Sequence, residues 1–253
     1  MQPPQPRLTI PKPPNWAQLP LYKKILHYRE QLDERFSPYV DKLEAKRIVK
    51  EVCGDAIQVA QVVRVLAGPE DVTQEDLNPD HMIKATHGCG WNVNISDQTD
   101  LATVHKRLAG WNRHYNSDVE RQYAFIEPRF FIEEKIQDPT APAGRALVYM
   151  FRCINGIPVT VGVKAFDGTQ NSYDLEWNLL AAPALPFEVP RPTQLPQMIS
   201  LAKALSRPFE FVRIDFHLDS AGQIFFSEYT FTPAGGTRIF SEQIEYMLGS
   251  MWV

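Results

Sequence analysis

No stretch of this chain is apolar for long enough to cross a bilayer, and Met1 to Pro14 carry proline where a signal peptide would carry an apolar core. The sequence therefore reads as that of a cytoplasmic protein. Cysteine is scarce: Cys53, Cys89 and Cys153 are odd in number and far apart, which suggests neither a disulfide framework nor a spaced zinc site. An excess of positive charge is missing as well. Lys and Arg total 26 against 30 Asp and Glu, a formal charge of -4, so the chain lacks the basic footprint of sequence-independent nucleic-acid binding. A small molecule is the expected partner. Internal repeats are absent too. What the chain does have is apolar content: at 253 residues and 44% hydrophobic, it can bury the core of one large unit or two small ones.

Prolines at positions 3, 4, 6, 11, 13 and 14 predict an extended N-terminal arm, because proline donates no backbone hydrogen bond and disfavours helix in the residue before it. A helical pattern runs from Leu21 to Arg35. A second helix is expected to open at Asp41, a candidate N-cap, and to stop at Gly54. Residues 58–66 read as one strand. His81 to Thr86, the loop His87-Gly88-Cys89-Gly90-Trp91 and Asn92 to Ile95 read as strand, turn and strand, followed by a polar helix from Asp100 to Tyr115. Arg129 to Ile136 is an apolar strand with a charged end. Asn155-Gly156 between two apolar runs is a hairpin signal. After a proline-rich crossing at 182–196, a helix is expected at 197–205, and then two strands around Asp219 to Gly222. This order predicts an α+β protein of two sheet-bearing lobes with largely antiparallel strands.

The chemistry concentrates in the last hairpin. Arg213 and Asp215 fall on one face of a strand, and Glu228 and Thr230 share a face of its neighbour. Two carboxylates with a neutral oxygen beside them suit Mg²⁺, a hard ion that binds nucleotide phosphates through one or two carboxylates. Arg213 would offer a forked donor to phosphate. Taken alone, such a hairpin is more often a structural charge pair.

Further residues occur in a fixed order before it: Asp41-Lys42, Lys84 to Gly90, Arg129 to Ile136, which closes on Glu133-Glu134-Lys135-Ile136, Cys153 to Gly156 and Tyr173 to Asn178. With Phe211 to Pro233, this ordered set resembles the ATP-grasp superfamily, and most closely its teichuronopeptide-biosynthesis (TupA-like) branch, over roughly residues 38 to 245. The resemblance implies an ATP-grasp fold in which two α+β lobes with mainly antiparallel sheets clasp ATP. Residues 1–37 would form the arm and its helix, 38–245 the ATP-grasp domain with a hinge near 133–138, and 246–253 a C-terminal tail.

The resemblance also implies roles. Lys42 and Lys84 would touch the nucleotide phosphates, and His87, Gly88 and Gly90 would belong to the loop that folds over them. Glu133, Glu134, Lys135 and Ile136 would border the adenine. Asp215, Glu228 and Thr230 would hold Mg²⁺, and Arg213 with Lys84 would serve catalysis. Thr230 stands where many relatives have asparagine. The implied activity is an ADP-forming carboxylate–amine ligase working through an acylphosphate, with an amino acid or uronic acid among its substrates. The alternatives are an ATP-grasp kinase and a nucleotide-binding protein without ligase activity. A dimer or a partner subunit would complete the acceptor side. One departure stands out: where the branch usually has Asp-Tyr-Lys, this chain has Val148-Tyr149-Met150, with Arg152 or Lys164 as candidates to replace the lysine.

Overall fold

The computed structural model describes residues 7–138 and 146–253, so the first six residues of the expected arm lie outside the described residues. From Arg7 to Asn15 the prolines keep the chain out of helix, and it lies along the body. The Leu8 N–H donates to Pro208 O at 2.7 Å, and Lys12 pairs with Glu210 at 2.6 Å. Helix α1 (Leu21–Gln31) buries Leu21, Ile25 and Tyr28, one stripe at helical spacing. It stops four residues short of Arg35, because the Asp33 side chain accepts from the Arg35 N–H and starts a separate turn. After α2 (Ser37–Val40) comes α3 (Lys42–Cys53). Asp41 Oδ1 caps it, accepting from the Leu43 and Glu44 N–H groups at 2.9 and 3.1 Å, and Gly54 ends it at a φ of 56°.

The strands among the described residues are β1 (Gln58–Val59), β2 (Val62–Leu66), β3 (His81–Ala85), β4 (Asn92–Asn94), β5 (Phe130–Glu134), β6 (Val148–Ile154), β7 (Ile157–Lys164), β8 (Gln170–Tyr173), β9 (Phe211–Leu218) and β10 (Ile224–Thr230). The remaining helices are α4 (Leu101–Trp111), α5 (Leu195–Ser206) and α6 (Glu242–Met251). The single strand expected at 58–66 is two. β1 pairs in parallel with β10, whereas β2 pairs antiparallel with β5, and Ala60 and Gln61 carry the chain from one sheet to the other.

Two sheets result, with strand orders β2-β5-β3-β4 and β1-β10-β9-β6-β7-β8. Among the described residues every pairing between these strands except β1 with β10 is antiparallel, which makes this an α+β architecture of two lobes. The smaller lobe has its own core, where Ile83, Val93 and Ile132 meet Val104 and Leu108 of α4. The larger core packs Phe151, Val161 and Ile214 against α5 on one face of the sheet, and Phe211 meets Tyr28 of α1 on the other. Asn155 and Gly156, at φ 51° and 73°, make the tight hairpin between β6 and β7.

The stretch 246–253 is not a separate tail. It completes α6 and carries Trp252, which is fully buried and stacked on Phe211 with ring centroids 5.0 Å apart. Trp16 of the arm donates its indole N–H to Trp252 O at 2.8 Å, so this part of the arm and the residues after α6 close on one core. No helix among the described residues is long and apolar enough to cross a membrane.

Candidate active site

Alternation along β9 puts Arg213, Asp215 and His217 on one face. The register carries that face across the sheet: Asp215 pairs with Glu228 on β10 and Met150 on β6, and Arg213 pairs with Thr230 and Arg152. A bulge between Phe226 and Glu228 gives β10 one extra residue, which brings Glu228 level with Asp215. Arg213 grips Asp215 with two bonds, Nε to Oδ1 at 2.7 Å and Nη2 to Oδ2 at 2.6 Å, and Nη2 reaches Glu228 Oε1 at 3.2 Å. Thr230 Oγ1 donates to the same Glu228 oxygen at 3.1 Å.

Burial pushes the Asp215 carboxyl up to about 6 although Arg213 opposes the shift, and the Glu228 charge nearby adds to it. For Glu228 burial acts in the same sense, but Arg213, Lys42 and Lys164 outweigh it and hold that carboxyl below its ordinary value. Two carboxylates and a hydroxyl, all hard oxygen donors on adjoining strands, fit a magnesium ion that keeps part of its water shell. A cation there would relieve the mutual repulsion that helps to raise Asp215.

The smaller lobe supplies positive charge. Lys84 on β3 lies 2.5 Å from Glu133 Oε1, and Lys46 on α3 lies 2.8 Å from Oε2 of the same buried carboxylate. Burial alone would raise Glu133, but the two lysines bring it below the ordinary range. Lys42, at the start of α3, donates to Gly88 O at 2.6 Å. Burial pulls its ammonium down to about 8, with Lys84 adding to the effect and Glu228 opposing it.

A cleft of about 470 Å³ opens where the lobes meet. Lys84, Glu133, Glu134, Lys135 and Ile136 line it from one side, and Val148, Lys164 and His217 from the other. Lys135 is tied down, its Nζ donating to Pro79 O at 2.5 Å and to Ile95 O at 2.6 Å, which fixes the strand end that borders the cleft.

The family model described as TupA-like ATPgrasp matches residues 22–253. The chain belongs to the TupA-like ATP-grasp family. Similar solved structures carry the same fold at low identity. The D-alanine-D-alanine ligase from Coxiella burnetii superposes with a TM-score of 0.53 at 15% identity, over 85% of this chain and 53% of that one. The D-alanine–D-alanine ligase from Bacillus anthracis does so with a TM-score of 0.50 at 14% identity, over 85% and 65%. This chain thus spans about half to two thirds of their lengths. None of the curated proteins matches it.

The expected residues fall in three groups: Arg213, Asp215, Glu228 and Thr230 bonded together on β9 and β10, Lys84 and Glu133 to Ile136 along the cleft, and Lys42 held to the loop at Gly88. The His87 ring is fully buried. Its Nε2 lies 2.8 Å from Trp111 O, so it donates there, and its Nδ1 accepts from the Arg129 N–H at 3.3 Å. Burial lowers its pKa. His87 therefore anchors the base of the glycine loop inside the lobe instead of facing the cleft. Gly88 packs under Trp91, whose ring would lie 2.6 Å from an added Cβ. Glu133 faces the lysines, while the exposed Glu134 beside it borders the cleft.

Three residues of the site were not anticipated in the roles they take. Lys46 follows Lys42 by one helical turn, the spacing that puts both on one face. His217 continues the alternation of Arg213 and Asp215. Its Nδ1 donates to Leu147 O at 3.0 Å, and burial pulls it down to about 4, so it is a neutral wall of the cleft. Arg129 pairs with Asp41 Oδ2 at 2.7 Å and steadies the capped start of α3.

Proposed function

We propose that this chain is an ATP- and Mg²⁺-dependent ligase that joins a carboxylate to an amine. The observation that carries the reading is the cluster of Arg213, Asp215, Glu228 and Thr230 on β9 and β10. It shares its sheet face with His217 and Lys164, which line the cleft opposite Lys84. Membership of an ATP-grasp family supports it, and so does the naming of both fold neighbours as ligases.

In this reading the adenine lies beside Glu134, Lys135 and Ile136, and Lys42 and Lys84 neutralise phosphate charge. Gly88 and Gly90 let backbone N–H groups approach phosphate oxygens. Mg²⁺, held by Asp215, Glu228 and Thr230, would offset charge on the phosphates. A carboxylate oxygen of the substrate attacks the γ-phosphorus, and ADP leaves. The amine then attacks the acyl carbon, phosphate departs, and the amine loses a proton to complete the amide. Arg213 stabilises the charged species in both steps, so catalysis rests on positioning and charge. The hinge falls near residues 133–138. The substrates would be drawn from amino acids and uronic acids, with a dimer or partner subunit completing the acceptor side.

Calorimetry of ATP binding with and without Mg²⁺, on the native chain and on Glu228→Gln, tests the reading. Magnesium-dependent affinity that the variant loses is the expected result. It would be followed by a search for ADP release stimulated by carboxylate and amine together. Nucleotide binding indifferent to Mg²⁺ and to Glu228 would overturn it.

A further inference from the structure

The row of the sheet next to the two carboxylates holds a second guanidinium. Arg152 on β6 pairs in register with Arg213 on β9 and with Thr160 on β7, so the three side chains share the face that carries Asp215 and Glu228. Arg213 spends Nε and Nη2 on those carboxylates. Arg152 has no such partner. It is 2% exposed, its Nη1 makes no hydrogen bond, and no carboxylate among the described residues stands within ion-pair distance of it. The Thr160 hydroxyl is equally buried and equally unpartnered.

The surroundings hold Arg152 in place without neutralising it. Phe240 covers the guanidinium at 5.1 Å. A Cβ added to Gly162 would lie 2.9 Å from Met150 Cε and in ordinary contact with Nη1 at 3.6 Å, so the glycine there makes room for Met150 beside the guanidinium. The carboxylates of Asp215 and Glu245 act on it only from a distance, and Arg213 repels it. Burial, with Arg213 adding, pulls it down to about 10, which still leaves it cationic at neutral pH. A buried cation next to a second cation, with a donor left unmade, is a costly arrangement unless an anion arrives to complete it.

We propose that Arg152 and Arg213, together with the Thr160 hydroxyl, form a carboxylate subsite that seats the acyl substrate beside the phosphoryl-transfer centre. This deepens the ligase reading and rests on it. The Arg152 fork matches a carboxylate's paired oxygens, Arg213 adds the Nη1 that Asp215 and Glu228 leave to it, and a seat on β6, the strand next to Asp215, would present that carboxylate to the γ-phosphate.

The probe is succinate, titrated calorimetrically into the full chain with Mg²⁺ and a non-hydrolysable ATP analogue, and again without nucleotide. The native protein is expected to bind one equivalent. Arg152→Gln should weaken that binding by roughly tenfold or more while leaving analogue affinity within about twofold. Should Arg152→Gln fail to fold, Thr160→Val carries the same test with a loss of several-fold. A thermal melt of Arg152→Met separates binding from packing: a subsite residue kept at a cost to stability gives an equal or higher Tm, while a structural one gives a clear fall.

Equal succinate affinity in the native chain and Arg152→Gln, no succinate binding at all, tighter binding of inorganic phosphate at the same seat, or a marked fall in Tm for Arg152→Met would overturn the subsite. Absence of Mg²⁺-dependent analogue binding would instead defeat the ligase reading. Arg152-dependent succinate binding without nucleotide would then uphold the carboxylate seat by itself.

Discussion

Glu133 holds the Lys84 ammonium at 2.5 Å with one oxygen and the Lys46 ammonium at 2.8 Å with the other, joining β3 and α3 through one buried carboxylate. Glu133 thus acts as a positioning residue for a lysine assigned to the phosphates. Glu133→Gln leaves two lysines without their shared anion, and we expect the fold to lose about 3 kcal/mol in urea unfolding. A bound triphosphate brings negative charge back to Lys84, so saturating MgATP should stabilise the variant more than the native chain. Equal stabilisation of the two by nucleotide would argue against a shared role for Lys84.

Asp215→Asn and Glu228→Gln test the metal assignment. Each removes one hard anionic ligand and keeps the shape of the side chain, and Arg213 keeps one carboxylate in either variant. We expect the circular dichroism to be unchanged and Mg²⁺-dependent nucleotide turnover to fall by about 100-fold or more. Native turnover in both variants would remove Mg²⁺ from these residues.

The β9–β10 constellation was legible because a strand's period of two is local: Arg213 and Asp215, or Glu228 and Thr230, share a face whatever lies beyond. The bulge that brings Glu228 level with Asp215 leaves that face assignment intact. The split of residues 58–66 was not legible. Gln58 and Val59 pair with Phe225 and Phe226, while Val62 to Leu66 pair with Glu133 to Phe130, and an apolar run carries no mark of a change of partner. The His87 ring was misplaced for the same reason. Its burial depends on Phe130, Trp91 and the Trp111 carbonyl, which distant segments bring together. The opposite holds for Lys46 and His217, whose spacings from Lys42 and Asp215 were present in the sequence as signals.

Lys42 sets a pH dependence. Burial holds it down to about 8 in the free protein, and a triphosphate beside it would raise that value. Below about 8 the ammonium is already charged and ATP affinity stays flat. Above it, binding must take up a proton at Lys42, so affinity falls by up to about tenfold per pH unit until the pKa of the complex is reached. Lys42→Arg should abolish that break, since a guanidinium remains charged. A native affinity independent of pH between about 7 and 10 would remove Lys42 from the phosphate site.

Gly88→Ala tests the loop. The new methyl would lie 2.6 Å from the Trp91 ring, which is itself stacked on Trp111, so the loop must shift and carry the Gly88 carbonyl away from Lys42. We expect nucleotide affinity to drop by roughly tenfold with little loss of stability, because the shift is taken up at the loop's exposed end, Cys89 and Gly90. Unchanged affinity would mean that the loop backbone does not contribute to the phosphate cradle.

Trp252 tests whether the C-terminal residues belong to the body. The ring is fully buried, stacked on Phe211 and met edge-on by Trp16 and Tyr28, and the Trp252 carbonyl accepts from Lys24 Nζ at 2.6 Å and from Trp16. Trp252→Ala empties a site lined by residues of the arm, α1 and β9 together, and should cost about 3–5 kcal/mol. Trp252→Phe keeps the stacking on Phe211 and should cost markedly less. A detachable tail would give near-native urea midpoints for both. Because Phe211 opens the strand that bears Arg213 and Asp215, loosening at Trp252 would also reach the active-site strand, and nucleotide affinity measured on Trp252→Ala should fall along with the midpoint.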